Sequence, residues 1–182
     1  PLASLSRAAA LNCASCVSPI KSFNLAGVAN SMIVIEHDDR RQLCRDWYNR
    51  FEVNKNNVFT NAAMLAAYSS GADWLDQVKD YIEGNVGLLR SFLRQNVPAV
   101  KLIEPEATYL VWLDFRELGL DARQLETFLA KEARMATNPG HWFGREGAGF
   151  ARINVACPRS VLETALNQLD KAVTGLLDDS SN

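Results

Sequence analysis

The stretch Ser18-Pro19-Ile20-Lys21-Ser22-Phe23-Asn24-Leu25-Ala26-Gly27-Val28 decides the reading of this chain. Two short runs flank it: Leu11 to Val17, mostly small or apolar, and Ser31 to Ile35, apolar and β-prone. Short apolar runs bounded by turn residues predict buried strands of an α/β domain. A lysine between two buried strands is out of place unless its amine has a job. Taking an ammonium out of water is costly, so such a setting favours the neutral, nucleophilic amine. A neutral amine can attack an aldehyde and form a Schiff base. Lys21 is therefore the first candidate for chemistry.

Outward from this motif the pattern turns helical. Asp38 to Phe51 reads as a helix with a charged face, and Asn57 to Ser69 as a second, ended by Gly71. Asp73 is placed to cap a long helix to about Gln95, with Trp74, Val78, Ile82, Val86, Leu89 and Leu93 as one apolar stripe. Val100–Ile103 and Tyr109–Phe115 read as strands. Asp121 with Gln124 forms a capping-box pattern for a helix through about Lys131. A short strand is expected at Arg134–Ala136, a Gly-containing loop at Thr137 to Gly149, and a strand at Phe150–Ala156. Pro158 suits the first turn of a last helix, and Ser160 with Glu163 offers a second capping box. Leu162, Leu166, Leu169, Val173 and Leu176 are its buried stripe. Residues from about 97 to 176 are expected to close a small α+β core of their own.

A hydrophobic fraction of 48% and a charged fraction of 22% describe an ordinary globular chain, and 182 residues allow one domain or two small ones. A net charge of −2 gives no support for a nucleic-acid or acidic-membrane partner, and no apolar run is long enough to span a bilayer. Cys13 and Cys16 have Cys-x-x-Cys spacing, but no second Cys/His pair follows at zinc spacing, so no metal site is expected. With Cys44 and Cys157 they fit a reduced, cytoplasmic setting.

Arg152 is the second candidate. It interrupts an apolar strand, where a guanidinium needs an anionic partner, and its rigid fork suits bidentate binding of a carboxylate. That carboxylate belongs either to a structural salt bridge or to a ligand. Asn154 shares its strand face and is placed to support it. Arg159 reads as serving the helix start or a surface pair. Tyr109 and Trp112 read as core or interface aromatics, His141 as a loop histidine open to either role, and His37 as a surface residue.

Four blocks together resemble one family. Ser-Pro-x-Lys-x-Phe-Asn-x-Ala-Gly around Lys21 is similar to the cofactor-lysine segment of pyridoxal-phosphate enzymes of fold type I. More narrowly it resembles the cystathionine β-lyase, or C–S lyase, branch of the class I/II aminotransferases. The resemblance continues through Glu106–Asp114, Asn138-Pro139-Gly140 and Ala151–Arg159, and covers roughly residues 11 to 173.

The resemblance implies an α/β fold. Residues 1–72 would be the end of the large cofactor-binding domain, 73–96 a linking helix, and 97–182 a small α+β domain. It implies pyridoxal 5'-phosphate as cofactor and Lys21 as its covalent anchor and general base. Ser18 becomes a phosphate contact and Arg152 the receptor of an amino-acid substrate's α-carboxylate. It implies cleavage of a thioether amino acid or cysteine to thiol, pyruvate and ammonia, with an aminotransferase or an inactive or regulatory relative as alternatives. The parent enzyme is expected to be a homodimer. Ala29 stands where family members often carry a phosphate-binding arginine, and Ala107 where they usually have glycine. Because the family's lysine lies past the middle of the chain, the sequence reads as the C-terminal part of a larger enzyme. The isolated chain is expected to be inactive.

Overall fold

The computed structural model describes residues 2–53 and 55–180. The chain forms two compact units, Pro1–Gln77 and Val78–Asn182. The division falls inside a helix.

In the first unit, a 3₁₀ turn at Leu2–Ser4 precedes helix α1, Arg7–Asn12. Ser6 caps α1, its side-chain oxygen accepting the Ala9 N–H at 3.1 Å. Strands β1 (Ala14–Val17) and β2 (Met32–Ile35) pair antiparallel, from Ala14 opposite Ile35 to Val17 opposite Met32. Helix α2 spans Asp38–Arg50, with Asp38 and Asp39 in its first turn and Arg50 in its last, the charge order a helix dipole favours. Helix α3 is Val58–Ser70, capped by Asn57, whose Oδ1 accepts the Thr60 N–H at 2.9 Å.

The two strands correct the sequence reading. They are shorter than expected, because Leu11 and Asn12 end α1. They are also not buried: Val34 is 57% exposed, and Val17, Met32 and Ile33 are exposed too. Apolar composition reports what a strand can bury, not whether anything covers it. Among the described residues β1 and β2 form a two-stranded sheet. Among the described residues of this unit Ala67 is buried, while Trp47, Phe59 and Leu65 face outward.

The second unit is built differently. Helix α4 runs Ala72–Asn96. Asp73 lies in its first turn rather than at the cap. Strands β3 (Lys101–Ile103) and β4 (Leu110–Asp114) follow, then helix α5 (Ala122–Lys131), β5 (Asn138–Pro139), β6 (Phe150–Asn154) and helix α6 (Arg159–Ser180). The sheet order is β3-β4-β6-β5, every pair antiparallel. Val111, Leu113, Ala151 and Ile153 alternate onto the inner face. They join Leu89 and Leu93 of α4, Leu125, Phe128 and Leu129 of α5, and Leu162, Leu166, Leu169 and Val173 of α6 in one core. Each such side chain, fully buried, contributes about 1.5–3 kcal/mol. The expected small core is therefore present, and α4 supplies part of it.

The α5 capping box forms as its sequence predicts: Asp121 Oδ1 accepts from the Arg123 and Gln124 amides, and Gln124 Oε1 accepts the Asp121 N–H, all at 2.9 Å. The strand expected at Arg134–Ala136 does not form. Arg134 sits at φ +50° and the Met135 N–H donates to the Leu129 carbonyl at 2.8 Å, so these residues close the end of α5. The strand comes later, at β5. The last helix also starts before Ser160, so no Ser160–Glu163 box caps it. Its Arg159 N–H instead donates to Tyr81 Oη at 2.8 Å.

Beside that helix start, Asn85 is fully buried on α4. Its Nδ2 donates to the Val155 carbonyl at 2.9 Å and the Cys157 carbonyl at 3.0 Å, and its Oδ1 accepts from Arg159 Nε at 3.1 Å. Arg159 serves the helix start, as expected.

Candidate active site

Lys21 lies in the first unit, in a turn between β1 and β2. The turn is made by backbone hydrogen bonds: Phe23 N–H to the Pro19 carbonyl at 2.9 Å, and Leu25 N–H to the Ile20 carbonyl at 3.0 Å. Asn24 takes a left-handed conformation, φ +54°, which asparagine tolerates better than most residues. Ser18 closes the wider loop. Its hydroxyl donates to the Asn30 carbonyl at 2.5 Å, and its oxygen accepts the Ile20 N–H at 3.4 Å. Phe23 anchors the turn, stacked on Trp74 at 6.1 Å and edge-on to Tyr68 at 6.0 Å. Glycine is needed at position 71 for that seat, since a Cβ there would come within 2.6 Å of the Phe23 ring.

Lys21 itself is exposed. The expectation of a buried lysine fails for the same reason as the buried strands: among the described residues of this unit, none buries its side chain. Its amine makes no ion pair among the described residues. An open cleft of about 900 Å³ lies beside Ser18, lined also by Asn30, Arg45 and Tyr48 but not by Lys21. The single Ser18 O–H is already given to Asn30, so it can serve a phosphate only by releasing that carbonyl.

Arg152 lies in the second unit, on the sheet face away from the core. Register places it between Trp112 of β4 and Asn138 of β5, with Ile103 of β3 beyond Trp112. Its Nη2 donates to Asn138 Oδ1 at 3.1 Å, and its guanidinium carbon lies 4.6 Å from the centre of the Phe143 ring. Phe143 meets Trp112 edge-on at 5.4 Å, and Trp112 stacks on Phe150 at 5.8 Å. Arg152 forms no ion pair among the described residues. Its Nε is sealed from solvent and has no partner. Among the described residues Arg152 is thus a half-buried cation without a carboxylate partner.

Asn154 does not support Arg152 as expected. It turns to the chain beyond the strand, where its Oδ1 accepts the Ala156 N–H at 2.8 Å. Asn138 takes that role instead, by a pairing across strands that sequence spacing does not reveal. Trp112 is a half-buried aromatic of the sheet face. His141 lies 3.8 Å from Glu126 across the loop, from Nε2 to Oε2. His37 is half-buried at the N-cap of α2, its Nδ1 enclosed and without a partner. All four cysteines are free, and burial raises the pKa of the Cys157 thiol.

The sequence is 36% identical over 174 residues to cystathionine beta-lyase PatB of Bacillus subtilis (strain 168), covering 96% of this chain and 45% of that protein. It is 33% identical to protein MalY of Escherichia coli (strain K12), covering 87% of this chain and 39% of that one. The structure matches that of cystalysin from Treponema denticola, which contains pyridoxal 5'-phosphate, with a TM-score of 0.86 and 31% identity over 95% of this chain and 44% of that one. The chain matches the C-terminal portion of the C–S lyase branch of the pyridoxal-phosphate aminotransferase-fold enzymes. It spans less than half the length of these C–S lyase relatives. Aminotransferases match as well. No family model matches the sequence. Among the described residues, no helix is long and apolar enough to cross a membrane.

Proposed function

We propose that this chain forms the part of a pyridoxal-phosphate-dependent C–S lyase that carries the cofactor lysine and the substrate-carboxylate arginine. The observation that carries the reading is Arg152: a half-buried guanidinium with no carboxylate partner among the described residues. A structural arginine on a strand normally finds its anion within the protein. One without it is fitted to an anion that arrives.

The residues present suit the cofactor. Lys21 offers an amine with no ion pair among the described residues, able to hold an aldehyde covalently and then to take the proton from substrate Cα. Pyridoxal phosphate, when bound, supplies the electron-withdrawing ring that makes that proton removable. Arg152 binds and orients the α-carboxylate through its fork, and Trp112 and Phe143 keep water from one side of it. Ser18 joins the phosphate contacts once its O–H leaves Asn30. Departure of thiolate from Cβ of a thioether amino acid or cysteine would leave 2-aminoacrylate, which water would hydrolyse to pyruvate and ammonia. The same reading takes residues 1–72 as the end of the large domain, 73–96 as a linking helix and 97–182 as the small domain. A twofold homodimer and a cytoplasmic setting complete it, the latter supported by four free cysteines.

The runner-up is an aminotransferase, favoured by the aminotransferases that also match. Lys21 and Arg152 serve both reactions. The protein containing this chain, loaded with pyridoxal phosphate, should release pyruvate from cystathionine, and Lys21→Ala should abolish release. Amino transfer to a keto acid without pyruvate release would select the runner-up, and full turnover by Lys21→Ala would reject both.

A further inference from the structure

We propose that Asn138 and Phe143 are positioning residues for Arg152, holding its guanidinium so that only its terminal nitrogens meet a carboxylate. The inference rests on the reading of Arg152 as a carboxylate receptor.

An arginine side chain has many rotamers, and losing that freedom on binding costs affinity. Here two side chains already restrict that freedom, and a third fixes one of them. Asn138 stands directly opposite Arg152 in the β5–β6 register, and its Oδ1 accepts from Nη2 at 3.1 Å. Phe143 lies against the guanidinium, its ring centre 4.6 Å from Cζ, a distance at which ring and cation attract. Trp112, opposite Arg152 on the other neighbouring strand, fixes Phe143 by an edge-on contact. The loop bearing Phe143 is itself pinned. Gly140 and Gly147 approach so closely that a Cβ on Gly140 would lie 2.1 Å from the Gly147 carbonyl oxygen.

This arrangement selects a direction of approach. Arginine can bind a carboxylate side-on, through Nε and one terminal nitrogen, or end-on, through both terminal nitrogens. Nε is sealed from solvent, so the side-on route is closed. Asn138 engages Nη2 with a neutral oxygen, which orders the group without cancelling its charge. An aspartate at 138 would do the first and also the second.

The test uses the isotope-labelled 182-residue chain, with the Arg152 Nε–H signal identified by its loss in Arg152→Lys. Two quantities are read by nuclear magnetic resonance: exchange of that Nε–H with water, and its response to sodium acetate against sodium chloride at equal ionic strength. Asn138→Ala should speed exchange and weaken acetate binding, each by about tenfold, the loss of one charged hydrogen bond. Asn138→Asp, close in shape and safe for the β5 backbone, should keep exchange slow yet weaken acetate by about tenfold or more, because its own carboxylate occupies the cation. Phe143→Ala should speed exchange, and Phe143→Tyr should restore it. Unchanged exchange and unchanged acetate affinity in Asn138→Ala would overturn the positioning role. A wild-type chain whose Arg152 does not respond to acetate would overturn the carboxylate reading instead, so the two failures are read separately.

Discussion

Replacing Asn85 by alanine should destabilise the second unit by about 2–4 kcal/mol, although Asn85 touches no residue of the candidate site. The magnitude follows from its surroundings. Asn85 is 0% exposed and makes three hydrogen bonds, to the Val155 and Cys157 carbonyls and from Arg159 Nε. Alanine leaves the Val155 carbonyl in a buried strand end with no donor, at about 1–3 kcal/mol for an unmet buried polar group. The Cys157 carbonyl is less enclosed and Arg159 is exposed, so water relieves part of the remainder. Amide hydrogen exchange within α6 reads the unfolding free energy of this unit without interference from the first one. Tyr81→Phe is the graded control. It removes only the oxygen that accepts the Arg159 N–H at 2.8 Å, at a solvent-facing helix end, and should cost about 1 kcal/mol or less. If Asn85→Ala costs no more than Tyr81→Phe, water is satisfying those carbonyls and the reasoning from burial is wrong.

Three further outcomes are expected. Arg116 holds the Asp114 carboxyl below the usual carboxylate range, chiefly through hydrogen bonds of 3.0 and 2.8 Å from Nε and Nη2. The unfolded chain therefore binds this proton more tightly, and the stabilisation is complete above about pH 4 and lost as pH falls through the lower folded value. Asp114→Asn should flatten that acid limb in a pH series of unfolding curves, by about 1 kcal/mol because the Arg116 side chain is 65% exposed. Leu166→Ala, at a fully buried position, should cost about 2–5 kcal/mol by hydrogen exchange in the second unit, whereas Phe59→Ala, 77% exposed, should stay within about 0.5 kcal/mol. In the cofactor-loaded protein containing this chain, Arg152→Lys should weaken substrate binding by about 1–3 kcal/mol while leaving the cofactor absorbance intact. Lost cofactor absorbance with unchanged substrate affinity would make Arg152 structural.

Much of the second unit was legible because its signals are local. The α5 capping box needs only Asp121 and Gln124, three residues apart, and the α6 stripe repeats within one helix. Strand β5 was not legible, because two residues ending in Pro139 carry almost no strand signal and pair only by virtue of β6. The same long-range register hid Asn138, whose contact with Arg152 spans fourteen positions and two strands. Asn154, two places along the same strand, looked better from sequence because alternation was the only rule available. Arg152 itself stood out, since a charge in an apolar strand needs no partner element to be noticed. Lys21 was noticed for an environment the chain does not supply. Its motif survives as a turn held by Ser18 and Phe23, while the burial inferred from neighbouring apolar runs depends on covering surface that β1 and β2 lack here. Asn85 was hidden inside a helix whose apolar stripe drew the eye past a polar residue.

The core of the second unit also sets a schedule for the ribosome. Leu113, at the centre of the inner sheet face, and Val173, which closes that face from α6, lie about 60 residues apart in synthesis. At about 5–20 residues per second, roughly 3–12 seconds pass between their appearances. For most of that interval β4 lacks the cover that α6 adds to that of α4, and β6 arrives before α6. The nascent chain thus carries an open, half-sided sheet with an unpaired edge, a shape prone to pairing with neighbours on the same polysome. Slowing translation ahead of α6 should lengthen this window and lower the soluble yield. Holdase chaperones that bind apolar segments should act on this stretch of the chain before Val173 emerges.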